Sequence, residues 1–320
     1  MSRSYVSAAL AGLIALGAAP AFSQGFPNKP IRMLTSAVGG GADVAARVIA
    51  QELTAGIGQQ VLVENFGGAG YVAALQVMKA PPDGYTLLAY GPPFWIGPLM
   101  TKAPYDPLRD FIAVSLAISS PNILVVHPSV PATTVREFVA LAKARPGSLN
   151  YASGQSGSSN HLAAELFKAM AGVDLVRVGY KSGGSAITDL IAGRVQVSFS
   201  SAPIVGGHIK AGKLRALGVT SAQPSALAPG IPTLSEAGVP GYESSSIIGV
   251  FAPARTPAAV VTRLNQEISR GLQRPEVKDR LFKAGSEPME SSPEQAAAYL
   301  RNDVDRMGKV IRDAGIREEE

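Results

Sequence analysis

A parallel or mixed α/β fold divided into two lobes is what this sequence predicts, and three observations carry the expectation. Strand-length apolar runs alternate with helical stretches along most of the chain. Two glycine-rich loops, SAVGGGAD at 36–43 and SGQSGSSNH at 153–161, each follow a strand-like run and lead into an amphipathic helix. Stretches rich in Pro, Gly and Ser near 119–122 and 243–249 mark candidate crossings between lobes, and 320 residues suffice for two packed cores. With two crossings, residues 24–122 and 249–290 build the first lobe and 123–248 the second. Residues 291–320 then form a C-terminal helical segment that either lobe can own. A hinge of two strands suits rigid-body closure on a ligand.

Each element has a local reason. Ile31–Thr35 is a short apolar strand, and Asp43 can cap a helix whose apolar stripe is Val44, Val48, Ile49 and Leu53. A second strand at 61–64 is followed by FGGAG and a helix through Met78. The APPDG turn at 80–84 launches a strand over 85–90. Next come a strand at 123–127 and a helix at 133–144, stopped by Arg145-Pro146-Gly147. The strand at 149–152 leads into the second glycine loop, and Leu162, Leu166 and Met170 mark the buried face of the helix beyond it. Strands at 175–178 and 195–199 flank a helix near 186–192, and 214–220 is one more strand.

Composition excludes several classes of function. The first 23 residues read as a secretory signal: Arg3 supplies a thin positive region, and 8–19 is apolar but too short to span a bilayer comfortably. Small residues offer cleavage after Ala21 or Ser23, so an exported, periplasmic protein is expected. No cysteine is present, which removes disulfides, thiolate chemistry and lipid attachment through sulfur. The net charge of +5 is scattered, without a basic run or aromatic–basic interleaving, and nucleic acid is not an expected partner. REEE at 317–320 reads as a solvated tail.

The two glycine loops carry the chemistry. A helix N-terminus presents unpaired N–H groups and about half a positive charge, which suits a carboxylate or phosphate. Two such cradles suggest a cleft closing on an acidic small molecule. In the first loop Ala37, Val38, Gly39, Gly40 and Gly41 are the expected binding surface. Asp43 is a support there, because a carboxylate touching an anion repels it. In the second, Ser153, Gln155, Ser156, Gly157, Ser158, Ser159 and His161 bring hydroxyls and amides together. The bland alternative is a capped loop; a sharper rival is a serine hydrolase using Ser156 or Ser158 with His161. GQSGS is not the GxSxG elbow, however, since Ser158 stands in the last glycine position. The three histidines, His127, His161 and His208, show no metal-ligand spacing.

Other strings are weaker. GGAGYVA at 67–73 imitates a dinucleotide fingerprint but lacks the acidic residue about 20 positions on. It reads instead as another helix start bordering the cleft, and no cofactor is expected. GHIKAGK at 207–213 lacks the Ser or Thr of a phosphate loop, having Leu214, and precedes a strand, so it reads as a surface turn. Tyr180 opens a third donor loop with Lys181. Phe94 and Trp95 lie in GPPFWIGP, where they either pack in the core or wall a pocket; as a wall they would admit an apolar or aromatic acid.

In register along the chain stand PNKPIR (27–32), GGGAD with Arg47, VEN (63–65), PDGYTLL (82–88), YDPLRDF (105–111) and VVHPS (125–129). They continue with NYASGQSGSSNHLAAELF (150–167), TDLIAGRV ending at Val195, HIKAGKLRALGVTS (208–221), IPTLSEAG (231–238) and FAPARTP (251–257). This series resembles the substrate-binding receptors of tripartite tricarboxylate transporters, the Bug-type periplasmic proteins, from about Phe26 to Ile316. The resemblance implies a two-lobed venus-flytrap fold of the type II kind, each lobe a mostly parallel sheet flanked by helices, without enzymatic activity. It implies an organic, amino or aromatic acid as ligand, one carboxylate being held by the first loop's backbone. The implied partners are membrane permease subunits, or a signalling protein if the receptor serves as a sensor; the receptor itself is expected to be a monomer. Carried over by position, Gly68, Ala69, Ser200 and Ser201 border the cleft. The chain departs from the pattern at Ser36-Ala37-Val38, at GAGY, at FWIG and near Ile247, so ligand identity does not transfer from relatives.

Overall fold

The structure, a computed structural model, describes residues 25–39, 41–66, 71–154, 158–180 and 183–316. The segment read as a secretory signal and the acidic tail lie outside the described residues, as do Gly40, Gly68, Ala69, Gln155, Ser156, Gly157 and Lys181.

Strands and helices alternate as expected. The strands are β1 (Ile31–Thr35), β2 (Val61–Asn65), β3 (Thr86–Tyr90), β4 (Phe111–Val126), β5 (Asn150–Ser153), β6 (Val176–Gly179), β7 (Val197–Ser201), β8 (Arg215–Val219), β9 (Ser245–Pro253) and β10 (Glu287–Pro288). The helices are α1 (Gly41–Ile57), α2 (Val72–Met78), α3 (Pro93–Ile96), α4 (Val135–Ala144), α5 (Ser159–Ala171), α6 (Gly183–Ile191), α7 (Ala202–Lys210), α8 (Leu234–Ala237), α9 (Ala258–Leu272), α10 (Pro275–Lys283) and α11 (Pro293–Asp313).

The caps explain where several helices start and stop. Thr134 and Glu137 form a reciprocal capping box at α4, and Ser292 with Gln295 does the same at α11. Gly172 ends α5 in the left-handed conformation, φ 62°, which costs glycine nothing.

The sheet is mixed, and its strand order is β2-β1-β3-β9-β4-β7-β5-β6. β1 pairs in parallel with β2 and β3, and β5 with β6 and β7. Between these parallel groups, β9 runs antiparallel to β3 and β4, and β4 runs antiparallel to β7 and β8. β4 therefore belongs to both halves. Its residues through Pro121 pair with β9, and Asn122–Val126 pair with β7.

Three apolar clusters cover the faces of this sheet. Alternation along the strands sends Met33 and Leu87 to one cluster, with Ile49, Leu264 and Ile268 of α1 and α9. Leu34 and Leu88 face the other way, into a cluster that continues past Phe251 to Phe138, Tyr151, Phe167 and Phe199 of the second half. Ile123 and Val125 lead a third cluster with Leu190, Val205 and Val219. Two expected stripes need correction. Val44 is 45% exposed and Met170 39%, because Ala45 and Ala46 take the inner face of α1 and Phe167 that of α5.

Candidate ligand cleft

Strand register fixes which loops meet. β3 and β4 both run antiparallel to β9, so the carboxyl ends of β1, β2 and β3 point along β4 toward Pro121. β7 runs antiparallel to β4, from Val197 opposite Val126 to Ser201 opposite Asn122. β5 and β6 are parallel to β7, so the carboxyl ends of all three point back toward the same junction. Carboxyl ends of the parallel strands from the two halves thus face each other across the point where β4 changes partners. In open α/β sheets such ends are where ligands bind.

The first loop leaves β1 and enters α1. Its exposed residues include Ala37, Val38 and Gly39, with Val38 74% exposed and Gly39 at φ 84°. Asp43 is 3% exposed and holds the loop from beneath. Its Oδ2 accepts the Gly39 N–H at 2.9 Å, and its Oδ1 accepts Asn65 Nδ2 at 2.7 Å and pairs with Arg47 Nη2 at 3.0 Å. Asn65, the last residue of β2, also donates to the Ser36 carbonyl at 2.8 Å and accepts from Arg47 at 3.0 Å. Burial pushes the Asp43 carboxyl up, but the Gly39 amide, Asn65 and Arg47 outweigh it and hold the group below its usual range. Asp43 is therefore a structural carboxylate with its charge already compensated.

The second loop leaves β5 and enters α5. Ser153 is wholly buried and His161 is 4% exposed, so both lie within the packed stem, whereas Ser159 is exposed. Ser158 is the N-cap residue; its hydroxyl donates to Asn160 Oδ1 at 2.7 Å, and that oxygen also accepts the Gly154 N–H at 3.2 Å. Tyr180, after β6, donates its hydroxyl to Asp189 at 2.9 Å, and Arg194 pairs with the other oxygen of Asp189 at 2.6 Å. Burial and the Asp189 carboxylate both raise the Tyr180 phenol, which stays a neutral donor. Ser200 and Ser201 end β7 opposite Ile123 and Asn122, at the junction itself, and Ser200 shares a 2.9 Å hydroxyl contact with Ser198.

Phe94 and Trp95, expected as a pocket wall, belong to the core. Both are 0% exposed. Phe94 stacks on Tyr105 and meets Phe111 and Phe251 at ring separations of 5.6, 4.8 and 4.7 Å. Trp95 Nε1 donates to Asp303 Oδ2 of α11 at 2.8 Å, which satisfies the indole's one polar group inside the packing. Pro92 and Pro93 start a single helical turn here, and that turn folds the aromatic pair inward. Of GHIKAGK, expected as a surface turn, residues 207–210 instead end α7, and only 211–213 form the turn before β8. Sequence reading missed the network role of Asn65, the Asn160 side chain that accepts from Gly154 and Ser158, and Arg177 of β6, whose Nε donates to Ser153 Oγ at 2.9 Å. The VEN string held Asn65, but nothing in one sequence ties a strand end to a loop 22 positions away.

Comparison with known proteins gives the family and the fold. Residues 45–316 match the family model described as tripartite tricarboxylate transporter family receptor. The chain is 37% identical to the UPF0065 protein in the tcbD-tcbE intergenic region of Pseudomonas sp. strain P51, covering 89% of this chain and 86% of that one. It is 35% identical to protein BugT of Bordetella pertussis, with 93% of each chain covered. Among solved structures, R. palustris Rpa4515 with adipate superposes with a TM-score of 0.71 at 35% identity, covering 92% of this chain and 100% of that one. MatC from Rhodopseudomonas palustris with bound malate gives 0.68 at 28% identity, covering 89% and 100%. The fold is the two-lobed α/β fold of periplasmic binding proteins, and the chain belongs to the tripartite tricarboxylate transporter receptor family.

Proposed function

We propose that this chain is an exported receptor that captures a small carboxylate between its lobes and hands it to the permease of a tripartite transporter. The observation that carries the reading is the facing of two amide-rich strand ends across the β4 junction. One loop has its supporting carboxylate neutralised by Arg47, so its main-chain N–H groups meet an incoming anion without repulsion. Adipate and malate in two relatives support a carboxylate as the ligand class. Contact is assigned to Ala37, Val38, Gly39, Gly40, Gly41, Gly68 and Ala69 of the first lobe and to Gln155–Ser159, Tyr180, Ser200 and Ser201 of the second. Asp43, Ser153 and His161 support them from below. Binding is the whole of the activity; no bond in the ligand is made or broken. The first 23 residues direct export to the periplasm, and the lobes meet near residues 119–122 and 243–249.

Micromolar affinity corresponds to about −8 kcal/mol. A few charge-assisted hydrogen bonds of about 1.5–3 kcal/mol each, together with apolar contact, supply that after the cost of association. A thermal-shift screen over mono-, di- and aromatic carboxylates, followed by calorimetry on the hits, tests the assignment. At least one acid should raise the melting temperature without being consumed. Silence across the screen, or turnover with labelling of Ser156 or Ser158 by a serine-directed phosphonate, overturns it.

A further inference from the structure

Arg177 lies on β6, the outer strand of the second half, and its side chain reaches to the end of β5. Nε donates to Ser153 Oγ at 2.9 Å and Nη2 donates to the Gly154 carbonyl oxygen at 2.9 Å. Ser153 is wholly buried, and its hydroxyl donates to the same carbonyl at 3.1 Å. Guanidinium, hydroxyl and carbonyl therefore close a three-membered ring of hydrogen bonds at the base of the second loop. On the other side, Asn160 Oδ1 accepts the Gly154 N–H at 3.2 Å. Gly154 is held through both of its main-chain polar groups, the oxygen by β6 and the nitrogen by α5.

Two pieces of chemistry give this clamp a function. A carbonyl oxygen left at the rim of an anion site competes for donors and repels the anion, and here the guanidinium takes it. The fork geometry of arginine suits two acceptors at once in a way that a lysine ammonium does not reproduce. Arginine is a cation, so the loop begins within hydrogen-bonding distance of a positive charge.

We propose that Arg177 is the positioning residue of the second binding loop, setting carboxylate affinity through Ser153 and Gly154. The proposal rests on the receptor reading above for its ligand, but the clamp itself is measurable without one. In ligand-free protein, Arg177→Ala should speed hydrogen exchange of the Gly154 amide by about tenfold or more, with melting little changed. Calorimetry with the best acid from the screen should show affinity about tenfold weaker in Arg177→Ala. Millimolar methylguanidinium should recover part of that loss and methylammonium none, and Arg177→Lys should remain well below wild type. Unchanged exchange at Gly154 overturns the proposal, and so does unchanged affinity or a loss that methylguanidinium leaves untouched. If the wild-type protein binds no carboxylate at all, the receptor reading fails, while the exchange experiment still decides the clamp.

Discussion

Asp43 shows how a single buried carboxylate can hold a glycine loop from beneath. Its oxygens accept from the Gly39 amide and the Asn65 side chain and pair with Arg47, so removing the charge strands three partners at once. Asp43→Asn keeps the shape but turns a donor toward Asn65 and Arg47. It should cost about 1–3 kcal/mol in urea unfolding at pH 7. The pH dependence has a definite sign. The folded carboxyl is held below its unfolded value of about 3.9, so its stabilisation is complete above that pH and is lost as pH falls through the lower folded value. The difference between wild type and variant should be full at pH 6–7 and narrow steadily below about pH 4; a gap independent of pH would contradict the assignment. Trp95 makes the opposite case. Trp95→Phe removes the donor to buried Asp303 and should cost about 1.5–3 kcal/mol while leaving carboxylate affinity within about twofold. A large loss of affinity would return Trp95 to the cleft. The supporting role of Asp43 was legible because a carboxylate at a helix start has a known local task. The place of Trp95 was not, since a Pro-Gly context looks like surface loop until Asp303, 208 positions away, supplies the indole's partner.

At the scale of elements, the strands were legible where they are short and bounded by turn residues, as in β1, β3 and β8. β4 and β9 were not. The ISSPN string inside β4 carries a proline and reads as a breaker, and the serines opening β9 read as linker. Pro121 is tolerated because it stands where β4 leaves β9 for β7, the place in a ladder where a missing N–H does least harm. The next residue is stitched by Thr220: the Asn122 amide donates to Thr220 Oγ1 at 2.8 Å, and the Thr220 amide donates to the Asn122 carbonyl at 2.9 Å. Thr220 is wholly buried. Thr220→Val keeps the volume and deletes the acceptor, leaving a buried N–H without its partner at a cost of about 1–3 kcal/mol; calorimetric melting measures it. The α1–α9 crossing offers a second test. A Cβ on Gly271 would lie 2.5 Å from Glu52 Cβ, and Glu52 is fixed by Arg274 and Arg280 at 3.1 and 3.3 Å. Gly271→Ala should therefore push the helices apart and destabilise by about 1–3 kcal/mol, despite alanine's better helix propensity. A stabilised variant would show that the crossing yields more easily than its packing suggests.

At the scale of the molecule, the two halves share β4, a continuous aromatic and aliphatic cluster, and a tie at Glu287, whose Oε1 accepts Ser225 Oγ at 3.1 Å and the Ala226 amide at 2.8 Å. A body joined this way can hinge without separating, because β4 keeps its ladders to β9 and β7 on either side of the junction. A ligand shifts that equilibrium only as far as it binds the closed arrangement better than the open one. A ligand gripped by both loops would meet this condition, since one loop rides on β1 and α1 and the other on β5 and α5. Saturating carboxylate should therefore lower the radius of gyration in small-angle scattering. It should also raise the melting temperature, with about 2.7 kcal/mol added at a ligand concentration of about 100 times Kd. The two readouts separate the ideas they test. Higher melting temperature with an unchanged radius would mean that the ligand sits on one lobe alone, and the facing-loop argument would fail at its central step. Arg177→Ala should lose both effects together at a fixed, subsaturating ligand concentration and regain the compact state when ligand is raised about tenfold. Affinity would then be what the clamp sets, and the capacity to close would belong to the frame that β4 spans.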